Sequence, residues 1–144
     1  MFKKLFIILF SAALIIGCTK PTNVKRNIDL NKLVELHNTN RAGWNIKILH
    51  ETKELKDYAN KHANWMLKNN KLKHSSMSGI SKLGYNNVGE NIAWNQGSEE
   101  EVINAWLWSP GHRANILSKD YDSIGCGVAY DDNNIYWCVV FGKK

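Results

Sequence analysis

Two histidines and one glutamate are the side chains of this chain best suited to carry chemistry. His74 and His112 lie among small and polar neighbours, and Glu90 interrupts the apolar segment Val88–Trp94. A carboxylate in such a segment is costly to bury unless it is paired or hydrogen-bonded. Brought together from separate segments, these residues could bind a divalent metal ion or act as an acid–base group.

Ser109 lies three residues before His112 and adds a second chemical alternative. The serine could be a nucleophile with the histidine as its base, but such a pair is defined by geometry and not by spacing. Ser109 could also end a helix, with Pro110 and Gly111 turning the chain after it. We favour the helix end.

No short motif supplies metal ligands from a single element, because neither H-E-x-x-H nor Cys-x-x-Cys occurs. Any metal site must therefore be assembled from distant segments. Among the other histidines, His62 falls on the apolar stripe of a predicted helix, which is typical of a core histidine bonded to a backbone carbonyl. His37 and Arg41 share one face of another predicted helix, four residues apart.

Helices and a long loop must position these residues. Apolar residues at helical spacing predict one helix over about residues 30–41, with Asp29 as its N-cap, and a second over about residues 53–68. A capping box that begins at Ser98 opens a third helix. The segment 74–89 has no apolar period, so we expect a loop there, long enough to carry a functional site.

The C-terminal segment has the composition of a β-hairpin, with strands over residues 123–130 and 135–141 around the turn Asp131–Asn134. Helices around an antiparallel sheet make an α+β domain. Residues that face each other across a hairpin have numbers with a constant sum. A sum of 264 would place Cys126 opposite Cys138, where a disulfide could form, whereas a symmetric turn gives 265 and directs the thiols to opposite faces. Both alternatives stay open.

The first 17 residues have the layout of a secretory signal peptide, with two lysines before an apolar run of about 12 residues that is too short to span a bilayer. The end of this run, Leu14–Cys18, resembles the bacterial lipobox, in which the cysteine receives a diacylglycerol and becomes the first mature residue. Acyl chains on Cys18 would hold the protein on a membrane. The alternative is an ordinary cleaved signal that ends near a cysteine.

Length and charge indicate one domain and exclude some partners. After a signal peptide over 1–17 and a lipidated tether over 18–28, residues 29–144 are enough for a single domain. Removing 1–17 takes away two lysines, so 17 basic and 13 acidic residues remain, a net charge of +4. The lysines are scattered, which argues against nucleic acid as a partner. We expect a monomer.

Several motifs occur in the order found in a known family. The sequence is similar, over about residues 30–142, to the CAP superfamily of cysteine-rich secretory proteins, insect venom antigen 5 and plant pathogenesis-related proteins, in its compact bacterial form. The motifs that carry the similarity are His37-Asn38-x-x-Arg41, His74-Ser75, Gly89-Glu90-Asn91-Ile92-Ala93, Trp106-x-x-Ser109-Pro110-Gly111-His112-Arg113-Ala114-Asn115, Ile124-Gly125-x-Gly127 and Tyr136-Trp137.

The resemblance implies a three-layer α-β-α sandwich with a central antiparallel sheet. It also implies a cleft in which two histidines and two acidic residues form a tetrad able to bind a divalent metal such as zinc or magnesium. His74, His112 and Glu90 match three members of the tetrad, and Ser109 stands where eukaryotic members have the second glutamate.

Four further residues are interpreted as structural support. Arg113 has five donors in a fixed plane and could clamp a carboxylate or carbonyls, and Asn115 suits a hydrogen-bond bracket. His37 and Arg41 complete this group.

Three functions are compatible with these features. The first is a binding module of the bacterial envelope, anchored through Cys18 to an outer membrane or a cell surface, whose cleft holds a small lipid, glycan or peptide. The second is a hydrolase that uses His74, Glu90 and His112 with or without a metal, or Ser109 with His112. The third is a purely structural module that contacts envelope components. We favour the first, and the sequence leaves open whether any reaction is catalysed.

Overall fold

The structure is a computed structural model that describes residues 26–144. The predicted signal peptide, Cys18 and most of the predicted tether lie outside the described residues. Across residues 26–144, no helix is both long enough and apolar enough to span a bilayer.

Helices and strands alternate along the described part of the chain. In order they are α1 (Leu30–Gly43), β1 (His50–Glu51), α2 (Lys53–Asn69), α3 (Ser78–Ser81), β2 (Asn87–Trp94), α4 (Glu99–Trp108), α5 (Pro110–Ile116), β3 (Ser123–Tyr130) and β4 (Ile135–Lys143). The three helices predicted from periodicity and capping occur as α1, α2 and α4, and the predicted hairpin is formed by β3 and β4. The predicted loop over 74–89 contains α3 and the start of β2.

The strands form one four-stranded sheet in the order β1-β3-β4-β2. β4 pairs antiparallel with β2 and β3, whereas the two-residue β1 pairs parallel with β3. The sheet is therefore mixed, and the prediction of a wholly antiparallel sheet is corrected at β1, a strand too short to have a sequence pattern of its own. α2 covers one face and α1, α4 and α5 cover the other. The predicted α+β sandwich of three layers is confirmed.

The helix α2 lies directly on the backbone of β3. Gly125 and Gly127 face this helix, and a Cβ atom on either glycine would lie under 3.0 Å from backbone atoms of α2. The buried stripe of the helix consists of Leu55, Ala59, Ala63 and Met66. Because both contact surfaces carry small residues at their centre, helix and strand approach more closely than larger side chains would allow.

A buried histidine lies on the opposite face of the sheet. The ring of His37 is 5.8 Å from that of Trp106 and 5.7 Å from that of Phe141, measured between centroids. Its Nδ1 donates to the carbonyl of Leu33 at 2.7 Å, and its Nε2 is buried without a partner in the described chain. Burial lowers the pKa of His37 to about 4. The imidazole is therefore neutral at physiological pH.

Arg41 lies one turn further along the same helix and is also fully buried. Its guanidinium donates to the carbonyls of Lys47, Ile116 and Ser118 at 2.7, 2.9 and 2.6 Å, and more weakly to that of Tyr121 at 3.4 Å. The first carbonyl follows α1 and the others lie at or after the end of α5. Arg41 thus ties two loops to α1 through the planar set of donors that only arginine offers.

The N-termini of α1 and α4 are capped as predicted. The Asp29 carboxylate accepts from the backbone N–H of Asn31 at 2.9 Å, and the Ser98 hydroxyl accepts from that of Glu101 at 3.3 Å. In both helices the cap satisfies one of the N–H groups that lack an intrahelical partner.

The segment after α4 is more regular than predicted. Ser109 ends α4, as expected, but Pro110 and Gly111 do not form a turn, because Pro110 is the first residue of α5. Proline is favoured at this position, where its missing N–H would have no partner and its φ is already helical. His112 therefore lies on a short helix and not in a loop.

The hairpin register decides between the two cysteine arrangements. Cys126 lies opposite Val139 and Cys138 lies opposite Gly127, which corresponds to a sum of 265. Cys126 belongs to the core on the α1 side and Cys138 to the core on the α2 side, and both are free thiols. The disulfide alternative is corrected: the sheet lies between the two side chains.

Candidate functional site

The carboxylate of Glu90 forms the centre of the candidate site. Glu90 is the fourth residue of the edge strand β2, and its side chain is only 3% exposed. Its Oε1 accepts from Nδ1 of His74 at 2.7 Å and from the backbone N–H of Ser75 at 2.9 Å. The segment before α3 is thus attached to the sheet through a single carboxylate. An ionised carboxylate only accepts, so Nδ1 of His74 carries the proton of this bond.

The imidazole of His74 is held but accessible. Its side chain is 60% exposed, and Nε2 makes no hydrogen bond with residues 26–144. A carboxylate bonded to one ring nitrogen fixes the tautomer and the ring orientation, and so directs the other nitrogen toward a ligand. Nε2 of His74 is therefore held in orientation and is accessible from solvent.

A buried thiol completes the surroundings of Glu90. The Sγ of Cys138 lies 3.8 Å from Oε2, on the same face of the sheet. Burial, and next the negative charge of Glu90, raise the pKa of Cys138 well above its ordinary value, so the thiol stays protonated and can donate. Both oxygens of Glu90 are thus engaged by donors of the protein itself.

His112 approaches from the other side of the sheet. Its ring lies 6.5 Å from that of Trp106, and its backbone carbonyl accepts from Nδ2 of Asn91 at 3.0 Å. Burial lowers the pKa of His112, and the charge of nearby His74 lowers it further. The two histidines thus contact neighbouring residues of the edge strand, His74 through the side chain of Glu90 and His112 through that of Asn91.

Trp106 and Asn115, the first and last residues of the motif Trp106–Asn115, cover the open edge of β2. Nε1 of Trp106 donates to the carbonyl of Ile92 at 3.1 Å, and Nδ2 of Asn115 donates to the carbonyl of Glu90 at 3.2 Å and to Oδ1 of Asn91 at 2.9 Å. An edge strand otherwise presents unpaired carbonyls. Asn115 thus brackets β2, the strand that carries Glu90, through two hydrogen bonds.

Arg113 does not contact a carboxylate in the described structure. Its guanidinium lies over the ring of Trp44, 5.3 Å from the centroid, at the end of α1. This cation–π contact links α5 to α1 at the surface. Arg113 therefore holds α5 to α1 by stacking on Trp44, and not by clamping a carboxylate or carbonyls as the sequence indicated.

The serine mechanism lacks its defining contact. The Ser109 hydroxyl makes no hydrogen bond within residues 26–144, either to His112 or as a cap of α5. A nucleophile needs a base within hydrogen-bond reach. Ser109 lies at the junction of α4 and α5.

The predicted zinc or magnesium site lacks a third protein donor. Among residues 26–144, no group of three His, Cys, Asp or Glu side chains could hold a metal ion. Glu90 already binds three donors, and Ser109 offers only a neutral hydroxyl. His74 and His112 remain as candidate nitrogen donors, with Glu90 as the group that orients the first of them.

A pocket of about 500 Å³ opens beside His74, between α2 and the segment that leads to α3. It is lined by Tyr58, Lys61, His62, Trp65, Lys73, His74, Ser75, Ser76, Ser78 and Gly79. Neither Glu90 nor His112 lines it, so the pocket meets the predicted site only at His74 and its neighbour Ser75.

Sequence reasoning missed most of this pocket. The signal was present in α2, where Tyr58, Lys61, His62 and Trp65 recur at helical spacing on a second stripe beside the buried one. His62 is bonded to a backbone carbonyl as expected, that of Lys73 at 2.7 Å, but at the pocket wall and not in the core.

Comparisons with known proteins agree with this architecture. Residues 34–141 match the model of the cysteine-rich secretory protein family. The uncharacterised protein YkwD of Bacillus subtilis is 34% identical over 121 residues, which cover 78% of this chain and 46% of that protein. The uncharacterised membrane protein YlbC of the same organism is 28% identical over 118 residues, or 76% and 32% of the two chains. This chain thus spans less than half the length of these relatives.

Solved structures give the same result. An outer surface protein from Borrelia burgdorferi superposes with a TM-score of 0.77 at 26% identity, covering 87% of this chain and 99% of that one. An extracellular protein with an SCP domain from Bacillus anthracis superposes with a TM-score of 0.71 at 28% identity, covering 79% and 40%. With the matched motifs and the sandwich of three layers, the chain belongs to the cysteine-rich secretory protein (CAP) family.

Proposed function

We propose that this chain is an extracytoplasmic binding protein of the bacterial envelope, and that it holds a small envelope component in the pocket beside His74. The observation that carries the proposal is a pocket of about 500 Å³ with an accessible imidazole on its wall, fixed in orientation by Glu90. This volume lies within the roughly 300–1,000 Å³ of small-ligand pockets. Two relatives are described as an outer surface protein and an extracellular protein, which supports the location.

The pocket has one rigid wall and one held segment. α2 rests on the backbone of β3 at Gly125 and Gly127, so it cannot shift without moving the sheet. The segment from Lys73 onward is tied to α2 by His62 and to the sheet by Glu90. A pocket ordered before binding loses less conformational entropy when its ligand arrives. Binding, more than turnover, is the activity that this arrangement serves.

Co-purification tests the proposal. The full chain is purified in detergent from its own envelope, and small molecules released by denaturation are identified by mass spectrometry. We expect a component that accompanies the wild type and His50→Ala, a control at an exposed histidine outside the pocket, but not His74→Ala. A component that is equally abundant in all three preparations, or the lack of any component, contradicts the proposal.

Anchoring is proposed through a lipid on Cys18, after cleavage of a signal peptide over residues 1–17, with the tether over 18–28 leading to the domain over 29–144. Removal of the cysteine thiol would leave no site for the diacylglycerol. We expect Cys18→Ala to move the protein from the membrane fraction to the soluble fraction and to lose incorporation of a labelled fatty acid. An unchanged membrane fraction would contradict the anchor without touching the pocket.

A further inference from the structure

An ordered aromatic surface lies on the wall of the pocket. The indole of Trp65 is 42% exposed although it extends from a well-packed helix. It stacks on the imidazole of His62, with centroids 5.7 Å apart and planes at 7°. His62 is itself fixed by the carbonyl of Lys73 at 2.7 Å. Trp65 is therefore a preordered flat surface, which suits a rigid ring at low entropic cost.

The pocket carries positive charge that the protein does not neutralise. Lys61 and Lys73 line it, and none of its lining residues is an aspartate or glutamate. Four lysines of the described chain form ion pairs: Lys32, Lys53, Lys56 and Lys144. Lys61 and Lys73 are among those that form none with residues 26–144, and both lie at the pocket. Two unpaired cations at the same concave surface favour an anionic ligand.

Aromatic rings and hydroxyl groups make up most of the remaining lining. Tyr58 and Trp65 contribute flat apolar surface, and Ser75, Ser76 and Ser78 contribute hydroxyls. No leucine, isoleucine, valine or methionine is among the lining residues. Flat rings flanked by hydroxyls suit a sugar ring better than the aliphatic tail of a lipid. A ligand rich in hydroxyl groups matches the donors and acceptors available.

We infer that this pocket binds an acidic glycan, with a sugar ring stacked on Trp65 and its carboxylate paired with Lys61 and Lys73. This inference rests on the proposed function and deepens it, because it names the class of ligand. The hydroxyls of the same sugar bond to the serines, and Nε2 of His74 binds a further polar group of the ligand. The ring provides the contact area, and the carboxylate provides the selectivity.

Three disaccharides test the inference on the full chain in detergent, by calorimetric titration. Two carry a carboxylate: N-acetylglucosamine linked to N-acetylmuramic acid, and N-acetylglucosamine linked to glucuronic acid. The third, of N-acetylglucosamine alone, is neutral. Charge-assisted hydrogen bonds to the carboxylate strengthen binding, so we expect at least one acidic disaccharide to bind roughly 10-fold or more tightly than the neutral one. The acidic disaccharide that binds more tightly identifies the source of the glycan.

Matched variants separate the two contacts. Trp65→Ala is expected to weaken all sugar binding roughly 10-fold, whereas Trp94→Ala, at a tryptophan of similar exposure outside the pocket, leaves it unchanged. Lys61→Glu is expected to abolish the preference for the acidic sugars, whereas Lys68→Glu, on the same helix outside the pocket, preserves it. Circular dichroism shows whether each variant folds, and the exposed Lys61 keeps the test decisive if Trp65→Ala does not.

Other results overturn the inference. Equal affinity for acidic and neutral sugars contradicts the pairing of the carboxylate with Lys61 and Lys73. Affinity that survives both Trp65→Ala and Lys61→Glu contradicts sugar binding at this pocket. Binding of an aspartate-rich peptide or of anionic lipid vesicles, without binding of the sugars, replaces the glycan by another class. If no sugar binds while the His74-dependent co-purifying component persists, this inference fails and the proposed function stands.

Discussion

The two faces of the sheet are closed in different ways. On the α2 face, helix and strand meet through backbone at Gly125 and Gly127. On the opposite face, large rings pack around the neutral imidazole of His37, and the buried guanidinium of Arg41 fastens two loops to α1. The spacing of the first face therefore depends on the absence of side chains, whereas the second face depends on the packing of rings and on the hydrogen bonds of Arg41.

This difference explains where a binding pocket could develop. Because the spacing of α2 is set by its inner stripe, the outer residues of the same helix are free to differ without loss of packing. Tyr58, Lys61 and Trp65 are outer residues of this kind, and they line the pocket. On the opposite face, the buried stripe of α1, Leu33, His37 and Arg41, is committed to the core and to two loops, and Trp106 and Asn115 bond to the backbone of β2.

The largest expected effect tests the contact between α2 and β3. Gly127→Ala would place a Cβ under 3.0 Å from the backbone of α2 at Ala59 and Asn60, which cannot move independently of the helix. We expect a loss of about 4 kcal/mol in the free energy of unfolding, or failure to fold, measured by urea denaturation. Gly111→Ala is the control, since nothing lies within 4 Å of its Cβ. A stable Gly127→Ala would show that the two surfaces are less close than described.

A smaller effect tests the opposite face through pH. The pKa of buried His37 is about 4, against 6.5 for a free imidazole. Between these values the unfolded chain binds a proton that the folded chain does not, so the free energy of unfolding falls as the pH is lowered from 6.5 to 4 and this contribution levels off below. The loss amounts to about 3 kcal/mol.

Variants isolate this contribution from that of the carboxylates. His37→Leu should show a weaker fall in stability between pH 7 and pH 4, followed by urea denaturation at each pH, because its side chain takes up no proton. His50→Leu, at an exposed position, should retain the full slope. Identical slopes for His37→Leu and the wild type would contradict the burial of a neutral imidazole.

A third prediction concerns Glu90, which joins the segment that carries His74 to the sheet. Glu90→Gln keeps the shape of the side chain but replaces one acceptor oxygen by an amide donor, so the three donors around Glu90 can no longer all be satisfied. We expect a loss of about 1–2 kcal/mol in stability. The His74 ring should gain rotational freedom, visible as a changed nitrogen tautomer pattern in NMR spectra. An unchanged spectrum would show that Glu90 does not orient His74.

The smallest effect concerns the thiols on the two faces. Burial raises the pKa of both Cys126 and Cys138, so neither is a thiolate at neutral pH. In a Cys18→Ala background, we expect no reaction with a disulfide reagent faster than unfolding, and no internal disulfide under air. A mass loss of two hydrogens in the folded protein would contradict the register of the hairpin.

Regular elements were predictable wherever a local pattern determines them. The caps at Asp29 and Ser98 and the hairpin strands over 123–130 and 135–141 are predictable from sequence because the signals are short-range. β1 was not, because two residues carry no pattern and pair only when β3 is present. The helix that begins at Pro110 was mistaken for a turn, since Pro-Gly is compatible with both and packing against α4 decides.

The sequence alone determined the family, the order of the motifs and the chemical types available, because these depend on residue identity and spacing. It singled out His74, Glu90 and His112 without showing their arrangement. Only the tertiary structure decided that Glu90 orients His74 and is itself occupied on both oxygens, since those contacts join residues far apart in the chain. It also decided that the pocket lies along the outer stripe of α2, because a stripe becomes a wall only when another segment packs beside it.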